Sequence, residues 1–141
     1  IFDRNGEVLP KMLEEHENFQ KLEQPYIKKF DIAFEFAYHL RKLHIELQRG
    51  NDIFAMKMLE MLREFTLTVQ ILNEQKKLHQ FKAYHTLEED FIKQIKKSYP
   101  STTNSSDIIA AAKLVTQLFK DTIQKNEMFD YDDQLFKIAE I

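Results

Sequence analysis

Four side chains able to do chemistry fall at one helical spacing. Asp31, Glu35, His39 and Lys42 follow one another at intervals of four, four and three residues. Residues three and four apart are neighbours on a helix surface, so these four line one stripe. Glu35 stands between Phe34 and Phe36. A carboxylate beside aromatic rings is suited to grip a cationic ligand, or to act as a base with a raised pKa. The same spacing also describes a solvated face held by its own neighbours. The stripe is read as a candidate substrate-binding site, with no catalytic residue assigned to it.

Other polar groups point less far. In Asp130-Tyr131-Asp132-Asp133, carboxylates are spaced as a magnesium pair would be. This cluster opens a helix, however, where anions complement the positive end of the macrodipole, so capping is expected. Glu88-Glu89-Asp90 reads the same way. His39 and His44 are five apart, not the four that pairs two imidazoles on one face. His79 and His85 sit at a helix–loop boundary with no third ligand in a recognisable spacing, and there is no cysteine. No metal site is expected on this chain.

The elements that must position these residues are helical. Only two glycines and three prolines punctuate 141 residues, too few for a strand-and-turn protein. Pro10 opens a helix running to about Lys21 with Met12, Leu13, His16 and Phe19 at helical spacing, and Glu23-Gln24-Pro25 breaks it. A second helix spans about Pro25 to Arg49. It carries two apolar stripes, which predicts burial on more than one side and a central position. Gly50 ends it, Asn51 or Asp52 caps a long third helix reaching about Leu78, and the short connection predicts an antiparallel hairpin. Thr86-Leu87-Glu88-Glu89 is a capping box for a helix ending near Ser98. Ser105 or Ser106 caps a fifth helix with the stripe Ile109, Ala112, Leu114, Val115, Leu118, Phe119, Thr122 and Ile123. Asp130 caps a short terminal helix carrying Phe136, Ile138 and Ile141. The expected fold is all-α, an up-and-down bundle of about five helices with a short N-terminal extended segment.

That segment, residues 1–9, holds two apolar stretches around Asn5-Gly6, a hairpin signal. It reads as the remnant strand and turn of a preceding domain, with residues 10–141 as a single helical domain. The net charge of -3 argues against nucleic acid and anionic membranes as partners. No apolar run approaches the roughly 18 residues of a membrane span. With zero cysteines, the expectation is a cytoplasmic protein.

The order of features resembles the carboxy-terminal half of bacterial nucleotidyltransferases, and among them the aminoglycoside adenylyltransferases. The residues that carry the likeness are the Ile-Phe-Asp-Arg-Asn-Gly opening, Phe34-Glu35-Phe36 within a helix, Leu47-x-Arg49-Gly50-Asn51-Asp52, Ala55, Met58-Leu59 and Leu62-Arg63-Glu64. The likeness spans Ile1 to Leu72, and beyond that only helix order continues it. The resemblance implies that a separate N-terminal α/β catalytic domain holds magnesium and a nucleoside triphosphate. The helical domain would then grip a small-molecule acceptor, with Glu35 as its acceptor-facing acid and no cofactor of its own. Where the aminoglycoside branch often follows the Glu-Phe pair with tryptophans, this chain has Ala37 and Tyr38, so the acceptor is left open. The competing expectation is a non-enzymatic interaction module, dimerising through an exposed Phe/Met face that includes Met56, Met58 and Met61.

Overall fold

The computed structural model describes residues 31–129 and 131–139, apart from the side chain of residue 138. Among these, five α-helices are joined by turns, with no strand: α1 Ile32–Gln48, α2 Asp52–Asn73, α3 Glu89–Lys97, α4 Ser105–Gln124 and α5 Asp133–Ala139. A single 3₁₀ turn, Tyr84–Thr86, precedes α3. All belong to the second of the chain's two units, Asp31–Ile141. The fold class is the expected one, an all-α helical bundle. The extended segment at residues 1–9, the helix at Pro10–Lys21, the Pro25 start, the Asp130 cap and the packing of Ile138 and Ile141 lie outside the described residues.

Helix boundaries follow from where backbone groups find partners. The second predicted helix is capped at Asp31, whose Oδ1 accepts the Phe34 amide at 3.0 Å, so α1 begins at Ile32. At its other end Gly50 takes φ +76°. Its amide donates to the Leu47 carbonyl at 3.0 Å and the Asn51 amide to Glu46 at 2.8 Å, the doubled closure of a Schellman turn. Asn51 then caps α2, its Oδ1 accepting the Phe54 amide at 3.3 Å. The chain reverses within this turn, and α1 packs along α2.

Three boundaries differ from the sequence reading. Helix α2 stops at Asn73 and not near Leu78, because Gln75 adopts φ +57°. The Lys76 and Gln75 amides then close on Ile71 and Leu72 as at Gly50. Helix α3 is capped by Glu88, whose carboxylate accepts the Asp90 and Phe91 amides, each at 2.9 Å. Thr86 is not the cap, since its hydroxyl donates to the Ala83 carbonyl inside the 3₁₀ turn. Asn104, and neither Ser105 nor Ser106, caps α4, its Oδ1 accepting from Asp107 N at 3.2 Å.

The core lies where α2 meets α1 on one side and α4 on the other. Phe36 of α1 stacks on Phe119 of α4 with centroids 4.1 Å apart, and Phe136 of α5 closes on both at 5.7 and 5.9 Å. Along α4 the buried face runs through Ile108 and Ala111, whereas Leu114 of the expected stripe is exposed. The core threonines Thr66, Thr116 and Thr122 donate their hydroxyls to their own helices' carbonyls four residues back, so no hydroxyl is stranded.

Candidate functional site

The Asp31–Lys42 stripe forms as a helix face, and most of its polar groups are occupied locally. Asp31 spends a carboxylate oxygen on the cap of α1. Glu35 is partly exposed and sits one turn from His39, whose Nδ1 lies 3.8 Å from the Glu35 carboxylate. That Nδ1 is 2.7 Å from the Glu35 carbonyl oxygen, which can only accept, so Nδ1 carries a hydrogen. The His39 ring is wedged edge-on between Phe65 at 5.1 Å and Tyr38 at 5.6 Å. Lys42 lays its ammonium over the rings of Tyr38, 5.3 Å away, and Phe54, 5.6 Å away.

A groove of about 550 Å³ opens beside this helix, between α1 and α5. Its α1 bank comprises Phe34, Ala37, Tyr38, Arg41, Lys42, Ile45, Glu46 and Arg49, and Leu135 and Ala139 of α5 form the other. Of the four residues singled out in the sequence, Lys42 lines this groove; Asp31, Glu35 and His39 do not. The groove belongs to a neighbouring stripe, Phe34, Tyr38, Arg41, Ile45 and Arg49, which the sequence reading passed over. Its spacing of four, three, four and four was a signal in plain view.

The chemistry of the groove is an apolar floor with a mixed rim. Phe34 and Tyr38 are half exposed and stack with centroids 6.4 Å apart. Arg41, Lys42 and Arg49 bring positive charge, and Glu46 brings one carboxylate. Arg49 donates to Glu46 Oε1 at 3.0 Å, and the other Glu46 oxygen accepts from Asn51 Nδ2 at 3.0 Å. The rim is therefore cationic on balance, set against aromatic walls.

No grouping of three or more His, Asp or Glu side chains able to hold a metal ion occurs among the described residues. Of the carboxylates after residue 130, Asp132 acts on the helix end, its Oδ1 accepting the Gln134 amide at 3.0 Å, whereas Asp133 accepts the Tyr131 hydroxyl at 2.8 Å and lies 3.6 Å from Lys120 Nζ. Likewise, no described helix is long and apolar enough to cross a membrane.

These features define a helical bundle domain with a lined groove on its first described helix. No protein-family model, curated protein or solved structure matches the chain.

Proposed function

We propose that this chain is the helical, acceptor-binding domain of a nucleotidyltransferase, which transfers a nucleoside monophosphate to a small-molecule acceptor. Magnesium and the nucleoside triphosphate are held by a separate catalytic domain, and the helical domain does no transfer alone. Two things support this reading: the likeness of Phe34-Glu35-Phe36 and Arg49-Gly50-Asn51-Asp52 to that family, and a helical bundle with a groove along the helix carrying them. The groove is the observation that carries it. An acceptor's apolar body lies along Phe34 and Tyr38, and its electron-rich oxygens face Arg41 and Lys42. Glu46 is the acid in the wall itself; Glu35, next in sequence to the groove residue Phe34, is the candidate for orienting the acceptor hydroxyl on the family likeness.

The test is nucleotidyl transfer by the polypeptide that carries this chain together with its catalytic domain, with Glu35→Gln and Lys42→Ala alongside. Lower transfer by E35Q at an unchanged melting temperature, with K42A raising the acceptor KM, supports the assignment. A wild-type protein that transfers to no acceptor, or a polypeptide with no N-terminal α/β domain able to hold magnesium and the nucleotide, overturns it.

One observation favours a second reading. Ile53 is 74% exposed and Met61 36% exposed on α2, about 80° apart around the helix. That face suits a non-enzymatic module that pairs with another chain. Met56 and Met58 are partly buried against the core. A concentration-dependent dimer abolished by Ile53→Glu supports pairing; a monomer at every concentration removes it.

A further inference from the structure

A second cavity, of about 440 Å³, lies on a different part of the bundle, between α2, the 3₁₀ turn and α3. Its floor is apolar, with Leu67, Leu87, Phe91 and Ile95. At its mouth stand two carboxylates one helical turn apart, Glu60 and Glu64, with the rings of Tyr84 and Tyr99. From this arrangement we infer that the cavity binds an organic ammonium ion with an apolar body, an aralkylamine in chemical class.

The charges at the mouth decide the sign. Arg63, only 3% exposed, donates to Glu60 and to the Ser98 carbonyl at 3.0 Å. Its guanidinium lies 4.0 Å from the centre of the Tyr99 ring. Arg63 thus pairs with Glu60 and packs on the Tyr99 ring, and Glu64 adds a second carboxylate at the mouth. Burial, then the Glu60 charge, raise the Glu64 pKa above its ordinary value, against the opposing pull of Arg63. The Tyr84 hydroxyl is pushed up too, by burial and then by Glu64 and Glu60. Both directions report first a partly dried site and second the nearby carboxylates, and a bound cation offsets the second. Two tyrosine rings add faces on which an ammonium is attracted.

Lys96 on α3 and the His85 ring also line the cavity, and the Lys96 charge opposes a bound ammonium. This site shares no residue with the α1 groove and does not depend on the function assigned to it.

The test is isothermal titration of the full chain with phenethylamine and with 2-phenylethanol, its uncharged counterpart of like shape. The amine binds and the alcohol binds at least about tenfold more weakly, as loss of one charge contact predicts. Glu64→Gln weakens the amine by about tenfold and leaves the alcohol unchanged, whereas Lys96→Gln strengthens the amine. Tyr84→Ala, a half-exposed position, weakens the amine severalfold without needing any change at Glu64. Glu127→Gln, an exposed control, changes nothing. Equal affinity for amine and alcohol, E64Q binding like wild type, or no heat from the amine at millimolar concentration would each overturn the proposal.

Discussion

The Glu74 carboxylate accepts the backbone amide of Glu88 at 2.9 Å, fastening the end of α2 to the start of α3 across fourteen residues. The same oxygen accepts from Gln70 Nε2 at 2.7 Å, and its twin lies 3.1 Å from Lys76 Nζ. Lys76 in turn donates to the Thr86 carbonyl at 2.7 Å, so one carboxylate organises the connection. Burial alone would raise its pKa, but the Glu88 amide, Gln70 and Lys76 outweigh this and hold it below the ordinary 4.5. A lowered carboxylate contributes stability above its unfolded value and loses it as pH falls through the folded one. Glu74→Gln should cost about 1 kcal/mol at neutral pH in urea denaturation, since the amide keeps part of the hydrogen bonding and solvent screens the charge. The gap from wild type should narrow as the pH drops below 4.5.

Arg63 makes the opposite bargain, a cation sealed in the bundle with its partners built around it. Arg63→Ala strands the Ser98 carbonyl and empties the space under Tyr99. A loss of about 3 kcal/mol is expected, read from the denaturation midpoint. Arg63→Met, which keeps the volume, should lose clearly less than the alanine variant.

Two turns of the same type carry different residues at their left-handed position, Gly50 at φ +76° and Gln75 at φ +57°. A Cβ built on Gly50 meets nothing within 4 Å, so strain alone opposes a side chain there. Gly50→Ala should destabilise by about 1 kcal/mol, while Gln75→Gly should stabilise by a few tenths to about 1 kcal/mol. Opposite shifts in melting temperature check this pair.

Phe36, Phe119 and Phe136 join α1, α4 and α5, and all three are fully buried. Phe36→Ala should cost about 3–5 kcal/mol, since both ring contacts are lost and the site cannot close. Phe136→Ala should release α5 first. Amide exchange at residues 133–139 should accelerate far more than in α2.

What could be read from the sequence was local. Gly50-Asn51 announced its turn because glycine and an Asx cap each have one cheap use there. The α2 stop did not, since Gln75 is a residue type that rarely adopts the left-handed region, and nothing in its spacing announces the turn. Thr86 was misread as a cap because its hydroxyl has a rival acceptor in the Ala83 carbonyl, a competition that no spacing rule shows. Asn104 outcompeted the serines after it for similar local reasons. The helical stripe at Asp31, Glu35, His39 and Lys42 was legible, but the groove was not. A cavity needs two banks, and the second is set by where α5 docks, not by any periodicity within α1.

That second bank is a helix of seven residues, Asp133–Ala139, well short of the roughly 12–15 residues at which isolated helices become even marginal in water. It persists because Phe136 is seated between two other rings, and Leu135 and Ala139 face the groove as a by-product of that seating. Whatever fills the groove thus draws on the same free energy that keeps the last turns folded. Affinity for an occupant and order in the terminal helix are one linked equilibrium, so a tight occupant would be expected to slow local unfolding there as surely as it fills space.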